Sequence, residues 1–192
     1  MRGGLRKFFT VVGLVVAVLA IVGAFEGWRG SSLFGPDGKP GIWEGNIWSS
    51  ECSQRVADAY SFSHIGHGLV FFALLWLVAR RMPLRFRFLI GVILEAGWEM
   101  FENSPIIINR YREATMALGY SGDSILNSLS DILMVCIGFL LAWRLPVRAS
   151  VLLFLAMEIG CALWVRDNLT LNVIMLIHPV DAIKAWQMGG HS

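Results

Sequence analysis

Five stretches of the chain, residues 8–25, 62–79, 85–103, 123–143 and 149–166, are dominated by apolar side chains. Each approaches the ~20 residues that a helix needs to cross a hydrocarbon core. This recurrence constrains the fold more than any other feature. Charged residues make up only 16% of the chain, against about a quarter in soluble domains, so the stretches are not the cores of ordinary globules. The pattern predicts an all-α, polytopic membrane bundle of about five transmembrane helices, one integral membrane domain over residues 1–192.

The arginines give the bundle a direction. Arg2, Arg6 and Lys7 precede the first stretch, Arg80, Arg81, Arg85 and Arg87 lie between the second and third, and Arg144 and Arg148 between the fourth and fifth. Basic residues near span ends mark the cytoplasmic side, and these three segments alternate as one side must. The N-terminus is therefore expected in the cytoplasm and residues 26–61 in a periplasmic loop, in a bacterial inner membrane. The loop carries Trp28, Trp43 and Trp48, which suit a headgroup interface. Small residues at 22–24 could end a signal peptide, but 18 residues exceed the roughly 7–15 of a signal core, so the first stretch reads as an uncleaved anchor. The tail "LTLNVIMLIHPVDAIKAWQ" has too short an apolar run before Pro179 to span, and reads as a re-entrant or interfacial helix, with a sixth span as the alternative.

The basic residues form no continuous face, which excludes nucleic acid as a partner and leaves membrane lipids; protein partners are not specified. Cys136 and Cys161 fall inside apolar stretches and Cys52 stands alone in a loop, so no disulfide framework or zinc-finger spacing exists.

Ionisable residues gather at the expected outer ends of the stretches. His64 and His67 lie at i, i+3; Glu95, Glu99 and Glu102 at i, i+4, i+7; Asp123, Asn127 and Asp131 at i, i+4, i+8. Each set occupies one helix face. Intramembrane charges are costly and face a bundle interior with partners, so these faces predict a polar cavity open to the periplasmic side. Bland readings exist beside the functional one. Asp123 sits where a helix N-cap belongs, Glu102 could face water, Trp98 suits an interfacial belt, and an HxxH pair alone is a weak motif. Together, two imidazoles and several carboxylates offer what a divalent metal binds. The expected assignment has His64 and His67 as metal ligands, and Glu99, Glu102, Asp123 and Asp131 as catalytic groups or further ligands. Arg110, Arg112, Asn127, Arg166 and Asn168 would bind substrate. HExxH and GxSxG are absent, so no hydrolase motif supports the chemistry.

The blocks "FSHIGHG", "EAGWEMFENSPIIINRYR", "GDSILNSLSDIL" and "RDNLTLNV" together resemble an uncharacterised family of small multi-pass inner-membrane proteins of alphaproteobacteria, a domain of unknown function. The likeness runs from about Trp43 to Trp186. It implies a helical membrane fold and an inner-membrane location, and brings no activity, cofactor or catalytic residue. A looser likeness joins the chain to VanZ-like membrane proteins, through His64 or His67, Trp98-Glu99 with Glu102, and Asp123 to Asp131 with Gly138. Three functions remain open at this point. One is a metal-assisted enzyme acting on a lipid or lipid-linked envelope substrate. Another is a non-catalytic accessory protein that holds a headgroup, an ion or a partner helix. The third is a proton-coupled transporter, against which the nearly dry inner half and the lack of repeats count.

Overall fold

Every apolar stretch forms a helix in the computed structural model, which describes residues 2–117 and 119–189. The long helices are α1 (Arg2–Arg29), α2 (Ser61–Ala79), α3 (Leu84–Glu102), α5 (Ile125–Arg144) and α6 (Val147–Trp164); the short ones are α4 (Pro105–Ala114), α7 (Leu169–Ile177) and α8 (Asp181–Met188). In the long loop, β1 (Trp43–Glu44) and β2 (Ala57–Asp58) pair in parallel for two residues. Pro83 and Pro146 stand at the N-caps of α3 and α6, ending the two arginine-bearing turns as their spacing predicts.

Among the described residues, four helices are long and apolar enough to cross a membrane: α1 from Gly4, α2, α5 and α6. Helix α3 matches α2 in length, 19 residues, but carries Arg85 and Arg87 at one end and Glu95, Glu99 and Glu102 at the other, too many charges for its composition alone to mark a span. Helices α7 and α8 have nine and eight residues, about 14 and 12 Å at 1.5 Å per residue. Neither can span.

Helix α5 is the centre, with more than half of its span buried, against 6% for α1 and α6. Val22 of α1, Val92 and Ala96 of α3, and Ile132 and Cys136 of α5 form one core cluster. The closest approach is between α2 and α5, where Gly68 faces the backbone of Val135 to Phe139 and Gly138 faces Ile65. A Cβ on Gly138 would overlap the Ile65 carbonyl, so this crossing tolerates glycine alone; small residues let membrane helices meet backbone to backbone. Below it, Phe139 takes Phe72 and Phe88 edge-on at 5.2 and 5.4 Å.

Two local expectations change. Residues 104–122 contain a helix where the sequence suggested loop: Ser104 caps α4, accepting from the Ile107 N–H, and Pro105 opens it. Proline stops α3 and starts α4 because its missing N–H is harmless in a first turn. The N-cap of α5 is Ser124, whose hydroxyl accepts from the Asn127 N–H at 3.2 Å, and not Asp123. That releases the Asp123 carboxylate for other partners.

Candidate functional site

The periodic polar faces of α2, α3 and α5 meet. The cavity between them, about 380 Å³, is also lined by the tyrosines at 60, 111 and 120, and its size falls in the range of small-molecule sites.

Glu95, fully buried on α3, holds both imidazoles of α2. Its Oε1 lies 2.6 Å from His64 Nδ1, and both its oxygens lie 3.1 Å from His67 Nδ1. Nδ1 is the donor in these contacts when Glu95 is ionised, which leaves each Nε2 for another partner. His64 Nε2 sits 3.7 Å from Asp131 Oδ2 on α5. One turn beyond Glu95, Glu99 Oε1 approaches His64 Nδ1 at 3.5 Å. Neither oxygen of Glu99 accepts a hydrogen bond, nor does Asp131 Oδ1, although Glu99 is wholly and Asp131 97% buried.

Further along α3, Glu102 Oε1 accepts from the Tyr111 hydroxyl at 2.6 Å, and Asp123 Oδ1 from the Tyr120 hydroxyl at 2.9 Å. Burial holds Tyr60, Tyr111 and Tyr120 well above the ordinary phenol range, so they remain donors. Asp167, beside Tyr60, is pushed up to about 6 by burial, against the lowering effect of bonds from the Asn168 N–H and the Tyr60 hydroxyl. Gly122, at φ +94°, lets the chain pass so close to Asn103 that Asn103 Oδ1 accepts from the Asp123 N–H at 2.6 Å.

The expected site residues therefore divide. His64, His67, Glu99, Glu102, Asp123 and Asp131 come together as their spacing suggests, and Asn127 lines the same cavity while donating to the Arg55 carbonyl at 2.9 Å. Arg110, Arg112, Arg166 and Asn168 do not line it. Arg110 donates to the Leu176 carbonyl, Arg112 to that of Tyr120, and Arg166, at φ +57°, to that of Trp186. Asn168 caps α7 and binds the Glu158 carbonyl. These groups join α4, α7 and α8 to their neighbours. Among the described residues, neither lysine nor arginine lines the cavity.

Sequence reasoning missed other members. Trp98 lines the cavity, beyond serving an interfacial belt. Glu26, read as a loop acid, is fully buried at the end of α1, where its Oε1 accepts from Asn103 Nδ2 at 3.2 Å and its Oε2 has no hydrogen-bond partner. Arg29, one turn on, donates to the Met100 and Asn103 carbonyls at the end of α3. A cation there complements the helix C-terminus. The Glu26–Arg29 spacing was the one available signal.

Three groups bring ligand atoms within 4.8 Å of one another: His64, His67 and Glu95; His64, Glu99 and Asp131; and Glu99, Glu102 and Asp123. The first is closed by its own hydrogen bonds. The other two share the open acceptors of Glu99, with Asp131 Oδ1 open as well in the second, an arrangement that stays charged only with a cation among them, a protonated His64 or a bound ion.

A family model described as "Protein of unknown function (DUF2585)" matches residues 28–189. The chain is similar to a UPF0314 protein of Rhizobium etli, 53% identical over 77% of this chain and 76% of that protein. It is similar to one of Sphingopyxis alaskensis at 46% over 99% and 100%, and to one of Paracoccus denitrificans at 46% over 93% and 90%. No solved structure matches. The chain belongs to the DUF2585 family, an uncharacterised family represented in many alphaproteobacteria.

Proposed function

We propose that this protein is a five-span inner-membrane protein, N-terminus in the cytoplasm, whose periplasm-facing cavity binds a divalent metal and acts on a lipid or lipid-linked envelope substrate. The observation that carries the reading is Glu99. A fully buried carboxylate whose two oxygens accept no hydrogen bond, set 3.5 Å from His64 and near Asp131, needs a cation beside it to stay an anion. His64, Glu99 and Asp131 are the proposed ligands. Glu95 then plays the outer part that carboxylates play at metal sites, gripping Nδ1 so that Nε2 faces the ion.

A metal held there would polarise a phosphoryl or acyl oxygen and lower the pKa of its bound water. The lipid part of the reading rests on the remaining wall: Phe71, Leu94 and Trp98 with Leu169 and Val173, Leu94 being half exposed. An acyl or polyprenyl chain fits such a wall while its headgroup meets the acids. With no arginine or lysine in the lining, an anionic headgroup is held through the metal. The missing basic residues also favour a second reading, a non-catalytic site for a cationic headgroup.

Elemental analysis of the purified chain separates the two. Bound zinc, manganese or iron that disappears in Asp131→Asn supports the metal reading. Metal-free protein that binds phosphatidylcholine, with Asp131→Asn cells unaffected, supports the other. For the orientation, a reporter fused after Arg81 should read cytoplasmic and one at Tyr111 periplasmic, and the reverse overturns the layout.

A further inference from the structure

We infer that the acidic cluster beside the cavity is built for two divalent cations bridged by Glu99. This rests on the metal reading above and extends it from one ion to a pair. The ligand groups His64, Glu99, Asp131 and Glu99, Glu102, Asp123 share one residue, and that residue is the fully buried carboxylate whose two oxygens both lack partners. One oxygen for each ion is the natural use of such a group, and paired catalytic metals sit about 3.5–4 Å apart. Asp131 Oδ1, also unpartnered, gives the first position a further open acceptor.

The second position is built of carboxylates already held by neighbours, Asp123 Oδ2 lying 3.4 Å from Asn103 Nδ2. Glu102 and Asp123 each hold one oxygen on a tyrosine hydroxyl, Tyr111 at 2.6 Å and Tyr120 at 2.9 Å. Those phenols orient the carboxylates as outer partners orient metal ligands.

Charge is compatible with the same number. The two positions carry four carboxylates, Glu99, Glu102, Asp123 and Asp131, and among the described residues no lysine or arginine lines the cavity, which Asp167 also borders. Two divalent ions balance four anions, whereas one leaves two of them uncompensated in a low-dielectric setting. The positions differ in chemistry. The first includes an imidazole nitrogen and suits zinc, iron or manganese; the second is all oxygen and suits magnesium or manganese.

Manganese fits both, which sets the experiment. The full chain is purified in detergent, stripped with chelator and reloaded with Mn²⁺. Bound ions are then counted by elemental analysis and their coupling read by electron paramagnetic resonance. The expected result is two ions per chain with an exchange-coupled spectrum. The Glu102→Gln, Asp123→Asn double variant should bind one, with an isolated-ion spectrum, and Glu99→Gln should lose the coupling. Melting temperatures of the variants near that of the parent show that the fold is intact. Glu102→Gln alone, which keeps an oxygen for Tyr111, repeats the count if the double variant does not fold. One ion in the parent, unchanged in these variants, overturns the pair and leaves the single-metal reading standing. No bound ion overturns both.

Discussion

Helices α2 and α5 touch in two different ways within a few residues. At Gly68 and Gly138 their backbones are in contact, and Phe139 fills the space below between two other rings. One turn up α2, at His64, and two turns up α5, at Asp131, the same helices present imidazole and carboxylate, and acceptors go without donors. The half around the glycine crossing is closely packed and almost wholly apolar; the half around His64 and Asp131 is polar and unsatisfied. Proteins store strained or uncompensated groups where the surroundings hold them in place. The contrast assigns work to each half: the glycine crossing fixes the spacing of the helices, and that spacing keeps the acids together against their mutual repulsion.

The severest way to break this division is at the crossing. Gly138→Ala places a methyl group on the Ile65 carbonyl, backbone that cannot swing aside, so the helices must separate at a cost of about 3 kcal/mol or more. Thermal melting in detergent should show a large fall and, with it, loss of metal binding. An unchanged melting temperature would mean that the two backbones are not in contact.

The next effect has the opposite sign for stability. Glu99→Gln removes an unpartnered buried carboxylate, so metal affinity should fall by at least ~100-fold, as loss of a direct ligand requires, while the metal-free protein melts at the same or higher temperature. A destabilised metal-free variant would place Glu99 in the structural half.

A pH titration sharpens the border. Asp167 has its folded pKa raised from 3.8 to about 6, so the native state favours the protonated acid. The resulting stability is fully present below about pH 4 and is lost as pH rises through 6, on the order of 2–3 kcal/mol by linkage. Asp167→Asn should flatten that slope between pH 4 and 6, measured by denaturant unfolding in detergent. The smallest effect is expected at Ser104, the cap of α4. Ser104→Ala should cost ~1 kcal/mol and loosen Tyr111 without changing the core, a change that hydrogen exchange along α4 can register.

Legibility in the sequence followed the same border. The faces of α2, α3 and α5 were readable because a helical period forces i, i+4 and i+7 onto one side, and Glu95, Glu99 and Glu102 have no other arrangement within a helix. Residues placed by turns were not. Tyr60 and Tyr120 reach the cavity from irregular segments and Tyr111 from a short helix in a segment expected to be loop. Arg110, Arg112 and Arg166 were expected to bind substrate, yet they bind backbone carbonyls, since charge counted along a chain does not reveal which oxygen a long side chain reaches. α3 shows the limit of hydropathy itself: its buried acids disqualify it by composition, though its length equals that of α2.

Asn103 is where three of the helices are tied together. Its amide nitrogen lies 3.1–3.4 Å from Glu26 Oε1, the Glu99 carbonyl, Asp123 Oδ2 and Ser128 Oγ. A primary amide has two hydrogens to give, so four neighbours contend for a pair. Removing Asp123 as an acceptor would leave the same two hydrogens to Glu26, the Glu99 carbonyl and Ser128, so the tip of the first helix and the start of α5 depend on one shared amide.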